Sequence, residues 1–162
     1  MLTAKEEVKS ELSQRRPQPT GIDATYYDLG YGSLTLTRLD PSPLAEQLAD
    51  VLAKRGQSLR LDSGAHLAVC DKYFLTHLVF QHRDGQTFDY TAARMLPVQD
   101  STGQPTSELV GIAYGTGQAV ITPAGIGIFG GWSTMSWTLD VTASEDRVEE
   151  RAETWFAKVE MP

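Results

Sequence analysis

One stretch constrains the fold of this chain more than any other. It runs from Lys72 to Leu96 and reads KYFLTHLVFQH-RDGQ-TFDYTAARML. Two arms rich in aromatic and β-branched residues flank Asp84-Gly85, a dipeptide suited to a type I′ turn because both central residues need positive φ. A turn centred there pairs His82 with Thr87, Phe80 with Asp89, Leu78 with Thr91 and Phe74 with Met95. Opposed residues share a face. One face then carries Phe74, Thr76, Leu78, Phe80, Ala93 and Met95. The other carries Tyr73, Leu75, His77, Val79, Phe88, Tyr90 and Leu96. Both faces are apolar enough to need cover, so the hairpin is expected at the centre of a sheet with something packed on each side.

Helices are the expected cover. Over residues 43–55, Leu44, Leu48, Val51 and Leu52 recur at i, i+4, i+7 and i+8. Ser42 suits the N-cap, Pro43 the first helical position and Gly56 the position just past the end. Residues 145–159 are expected as a second helix, with Ser144 as N-cap and a stripe of Val148, Ala152, Trp155, Phe156 and Val159. A third helix is expected over residues 3–15, where Thr3 and Glu6 have capping-box spacing. Its stripe is thin (Val8 and Leu12), and Pro17 and Pro19 end it. Residues 1–20 therefore read as a peripheral arm and linker, and residues 21–162 as a single domain.

The remaining segments read as strands. Leu34 and Leu36 alternate with Thr35 and Thr37 inside residues 24–39. Residues 58–70 suggest two short strands around Ser63-Gly64. The polar stretch 98–108 reads as an exposed loop. Residues 109–141 are β structure punctuated by glycine, with turns at Thr116-Gly117 and Thr122–Gly125 and a last strand from Trp132 to Val141. The expected architecture is α+β: an antiparallel, twisted sheet of about six to eight strands, covered by helices near 43–55 and 145–159.

Composition excludes some partners. At 162 residues the chain is long enough to bury a core without staples. A net charge of −7 opposes binding to nucleic acid by phosphate neutralisation and to anionic membranes. The one cysteine, Cys70, permits no internal disulfide. No stretch has the length of a bilayer span or the apolar core of a signal peptide, so a cytoplasmic location is expected.

Motifs for chemistry are weak. Gly125-Ile126-Gly127-Ile128-Phe129-Gly130 matches G-x-G-x-x-G, but a dinucleotide site needs a helix opening on the last glycines, and strand-like residues follow. An apolar strand with glycines at close backbone approaches explains the pattern better, so no cofactor is expected. His66, Cys70, Asp71, His77 and His82 resemble a metal or thiol cluster. On a regular strand, however, His66 and Cys70 lie about 13 Å apart, and His77 and His82 point to opposite faces. No metal is expected. Asp89 falls on an apolar face in this register, where a carboxylate needs a partner or water.

The aromatic residues are the remaining signal. Tyr31, Tyr114 and Trp132 sit close to glycines and are expected as an exposed recognition surface. The first expectation for function is thus a non-catalytic binding or protein-interaction protein. Its partner is another protein, or a second copy engaged through the N-terminal arm as a homo-oligomer. The second is a small enzyme with a pocket between sheet and helix, using Cys70, His77 or Asp89.

Overall fold

A computed structural model describes residues 15–61, 64–70, 75–130 and 143–160. The described chain forms a closed barrel of eight antiparallel strands, each hydrogen-bonded to its neighbours in sequence order, with the last strand closing on the first. The strands are β1 (Ala24–Asp28), β2 (Gly32–Arg38), β3 (Ala65–Cys70), β4 (His77–Asp84), β5 (Thr87–Gln99), β6 (Pro105–Ile121), β7 (Gly125–Phe129) and β8 (Thr154–Lys158). Helix α1 (Pro43–Ala53) lies between β2 and β3, and the short α2 (Val148–Arg151) precedes β8.

Strand alternation sends one set of side chains into the barrel. Tyr26, Leu34, Leu36, Phe80, Phe88, Tyr90, Ile126 and Phe156 are at most 2% exposed and belong to one interior cluster. An eight-stranded barrel is just wide enough for side chains to fill. Two interior phenols are satisfied locally: Tyr26 donates to the Ile22 carbonyl at 2.7 Å, and Tyr90 donates to the Gly130 carbonyl. Burial pushes the Tyr26 hydroxyl up to about 12 and raises that of Tyr90 as well.

The outer wall has its own cover. Helix α1 begins as its sequence dictates: Ser42 Oγ accepts from the Ala45 amide at 3.1 Å, and Pro43 opens the helix. Leu48, Val51 and Leu52 pack on Leu67, Val79, Ala93 and Met95, across the outer face of β3, β4 and β5. A smaller cluster of Val120, Phe129 and Val148, with Trp155 against it, lies under α2.

The α+β expectation is overturned. The sheet closes on itself, so strands rather than helices cover most of its inner face. Residues 145–159 are not one helix. Val148–Arg151 makes a single turn, and Thr154–Lys158 is a strand with Phe156 buried in the barrel and Trp155 half-buried on the outside. Helical spacing holds for Val148, Ala152 and Trp155, but Thr154, Trp155 and Phe156 prefer the pleated surface that the open β7 and β1 edges offer. Ser144 caps no helix; its Oγ accepts from the Asp146 amide at 3.1 Å.

The central hairpin forms, but one residue out of the expected register. Phe80 opposes Tyr90, Leu78 opposes Ala92 and His82 opposes Phe88, while Asp84 opposes Thr87 across an irregularity at Arg83. The two-residue turn is Gly85-Gln86, with Gly85 at φ 54°. A one-residue slip exchanges the faces of an entire strand. Phe88 and Tyr90 therefore join Leu78 and Phe80 inside, and Asp89 and Thr91 go outside. Thr116-Gly117 is no turn but lies within β6, whereas Thr122–Gly125 turns as expected, with the Thr122 amide donating to the Gly125 carbonyl at 2.9 Å. The 98–108 stretch is shorter as a loop than expected, because β5 runs to Gln99 and β6 starts at Pro105. The expected helix 3–15 and strand 132–141 lie outside the described residues, apart from Arg15.

Arg16 ties three distant segments together at the hairpin turn. Its guanidinium reaches Asp84 Oδ2 at 2.9 Å and Glu145 Oε2 at 2.8 Å. Its amide donates to Asp84 Oδ1 at 2.8 Å, and its carbonyl accepts from the Gly85 amide at 3.1 Å. Hydrogen bonds from Arg16 hold both carboxyls below their ordinary values of 3.8 and 4.5. A depressed carboxylate contributes stability above its unfolded value, and that contribution is lost as pH falls through the folded one. Melting temperature is therefore expected to fall more steeply on acidification below about pH 5 in the wild type than in Arg16→Met. Parallel curves from pH 7 to pH 2.5 would show that the node adds nothing.

Candidate functional site

A filled barrel leaves its outer wall for binding. Two grooves there differ in what their polar groups are doing. The first, of about 500 Å³, lies between the segment after α1 and the β4–β5 wall. Its groups satisfy one another. Gln81 Nε2 donates to the Ser58 carbonyl at 3.0 Å, and Gln81 Oε1 accepts from the Arg60 amide at 2.9 Å. Thr91 donates to Gln57 Oε1 at 2.5 Å, and Arg83 pairs with Asp89 at 3.0 Å. These bonds fasten the 57–60 segment to the barrel.

The second groove, of about 590 Å³, is lined by the start of β2, the end of β3, the start of β4 and parts of β5 and β6. Val69 from β3, Met95 and Pro97 from β5 and Leu109 from β6 give it apolar walls. Val69 opposes His77 across the β3–β4 pair, on the outer face, because their neighbours Ala68 and Leu78 point inward. Val69 is 49% exposed, an unusual state for a valine on a strand whose other residues are buried.

His77 is the one titratable imidazole of this groove, whose other polar lining residues are Ser33, Thr35 and Thr76. Its Nδ1 lies 2.6 Å from Thr76 Oγ1, which also accepts from the Met95 amide at 2.8 Å. Burial lowers the His77 pKa below its ordinary 6.5. His66 and His82 are lowered too, again chiefly by burial, but their surroundings differ. His82 Nε2 lies 3.0 Å from the Gly85 carbonyl at the hairpin turn, and His66 Nε2 lies 3.4 Å from Asp23 Oδ1. Both sit against the Phe88 ring at the turn end of the barrel.

Of the residues singled out in the sequence, Cys70 and His77 line the same groove. The Cys70 side chain belongs to the interior cluster, whereas His77 lies on the outer wall. Asp89 is not with them. It opposes Gln81 on β4, four positions along from the residue opposing His77, or about 13 Å at the rise of a strand. Its ion pair with Arg83 supplies the partner that its position calls for. Tyr31 is half-buried, its ring 6.3 Å from that of Phe156. The Tyr114 side chain and Trp132 lie outside what the structure describes.

Apart from Tyr27, the exposed large apolar residues that the structure describes are aliphatic. Besides Val69, they include Leu96, Val110 and Ile112, with Leu96 opposing Val110 on the long β5–β6 ribbon. Sequence reasoning missed Thr76, Val69 and Met95 because their convergence depends on the true hairpin register. Among the described residues, no group of three or more His, Cys, Asp or Glu side chains could hold a metal ion. The G-x-G-x-x-G stretch is β7 plus Gly130, which takes a positive φ of 81°, and the two glycines within the strand answer to packing: a Cβ on Gly127 would meet Val148 Cγ1 at 2.5 Å and Ala152 Cβ at 3.0 Å. No helix among the described residues is long and apolar enough to cross a membrane. Compared with known proteins, the chain matches no family model, no curated protein and no solved structure.

Proposed function

We propose that this protein is a non-catalytic binding protein of the cytoplasm that takes its ligand on the outer wall of the barrel, in the groove around Val69 and His77. The observation that carries the reading is the exposure of Val69 beside Met95, Pro97 and Leu109, in a concavity of about 590 Å³. Ligand sites are typically concave, largely apolar and of several hundred Å³, with a few placed polar groups. The barrel interior offers no rival, since aromatic and aliphatic side chains fill it. The single buried cysteine suits a reducing compartment. The separation of Asp89 from His77 and Cys70 weighs against a nucleophile–base–carboxylate arrangement, which needs hydrogen-bond reach between its members.

Nile red, an uncharged dye whose emission rises in apolar surroundings, tests the reading. It is expected to bind the wild type, with Val69→Asp weakening binding at least about tenfold, the scale of burying an unpaired charge against apolar walls. Ile112→Asp, a change at a more exposed position on the other apolar surface, serves as the control. Unchanged binding by Val69→Asp overturns the groove as the site.

A further inference from the structure

The polar anchor of this groove specifies its ligand further, an inference that rests on the reading above. Thr76 has one hydroxyl proton. Two acceptors stand near it: His77 Nδ1 at 2.6 Å and the Met95 carbonyl at 3.5 Å. The shorter contact has ordinary hydrogen-bond length and the longer one is marginal. The Met95 amide donates to the same oxygen at 2.8 Å, and the hydroxyl proton is placed on the shorter of its two contacts, toward His77. Nδ1 therefore accepts. A neutral imidazole that accepts at one nitrogen carries its proton on the other. Burial lowers the ring's pKa from its ordinary 6.5, which disfavours the charged form. Nε2–H then has no hydrogen-bond partner among the described residues, and it belongs to a side chain that lines the groove.

Among the described residues, the groove lining contains neither lysine nor arginine, and neither aspartate nor glutamate. The chain as a whole carries −7. An anion would enter this site against the field of the protein with no cation among the described lining residues to receive it, and a cation would find no carboxylate among them. We infer that the Val69–His77 groove binds an uncharged, mainly apolar molecule carrying a hydrogen-bond acceptor oxygen, such as a ketone or ester, which receives the Nε2–H of His77. Thr76 is a positioning residue, setting the tautomer of His77.

Three probes of one shape separate these claims: fluorene, 9-fluorenone and 9-fluorenecarboxylate. The wild type is expected to bind fluorenone about tenfold more tightly than fluorene, the scale of one hydrogen bond made out of bulk water, and to bind the carboxylate most weakly. In His77→Phe, which keeps the ring and removes the N–H, fluorenone and fluorene are expected to bind alike. A second readout does not depend on a variant folding: the Nε2–H proton resonance of His77 should shift downfield with fluorenone and stay in place with fluorene. Equal binding of fluorene and fluorenone to the wild type overturns the anchor but leaves the groove. Tightest binding of the carboxylate overturns the charge argument. Binding of neither neutral probe overturns the groove itself, and the anchor with it.

Discussion

Phe88→Ala is expected to destabilise the protein by about 3–5 kcal/mol, while Asp89→Ala, one residue along, changes stability by no more than about 0.5–1 kcal/mol. The contrast follows from the hairpin register. Phe88 opposes His82 and points into the barrel, fully buried, with its ring 5.3 Å from His82 and 6.2 Å from His66. Removing it leaves a cavity among rigid strands that cannot collapse inward. Asp89 is on the outer wall, and its ion pair with Arg83 is well exposed on both sides. In the register centred on Asp84-Gly85 the residues trade roles. Asp89 would sit among Leu78 and Phe80, and relieving a buried carboxylate would stabilise. For a chain of this size 1 kcal/mol moves the melting point by about 2–4 °C, so Phe88→Ala should lower it by roughly 6–20 °C. Comparable losses at the two positions would refute the assigned facing of β5, and with it the convergence of Val69, His77 and Met95.

How much of this was legible depends on whether a signal is local. Helix α1 was, because Ser42, Pro43 and the leucine stripe act within a few residues. The Thr122–Gly125 turn was, for the same reason. The β4–β5 pairing was legible as a hairpin but not in register. The irregularity at Arg83 adds a residue to one arm, and Arg16 secures the turn from 68 positions away. Closure left no mark in the sequence. An open sheet under helices and a closed barrel both ask for alternating apolar residues, and the contact that separates them, β8 against β1, joins Tyr26 to Lys158 across nearly the whole chain. The misread helix at 145–159 shows the cost: with 154–158 taken as helix, the strand that pairs with both β7 and β1 is lost from the reading. At the site, Cys70 and His77 were visible as chemistry-bearing residues, but Thr76 and Val69 were not. A threonine and a valine on strands are unremarkable until their neighbours are known.

The closing seam is also where the smallest substitution should do the most harm. Gly125→Ala is expected to cost about 3 kcal/mol, at the upper end of ordinary overpacking, and to lower the melting point by about 6–12 °C. A methyl at Gly125 would fall on the Phe156 carbonyl and come within 2.6 Å of Trp155 Cζ2. The obstruction is backbone, so no rotamer change relieves it; β8 itself must move. That strand is held by β7 through pairs from Gly125↔Ala157 to Ile128↔Thr154, and by β1 through only Tyr26↔Lys158 and Tyr27↔Ala157. Moving it also draws Phe156 out of the interior cluster. Gly127→Ala provides the comparison. Its methyl would meet the Val148 and Ala152 side chains and, at 3.3 Å, the Phe129 ring. Val148 and Ala152 belong to the single turn α2 and its cap, which can lift without opening the barrel, so the loss there should be smaller. Amide exchange distinguishes the two changes: Gly125→Ala should accelerate exchange across β8 and at the Val159 amide, which donates to the Thr25 carbonyl at 2.8 Å. Slow β8 exchange with an unshifted melting point in Gly125→Ala would mean that β8 does not close the barrel against β7 as described.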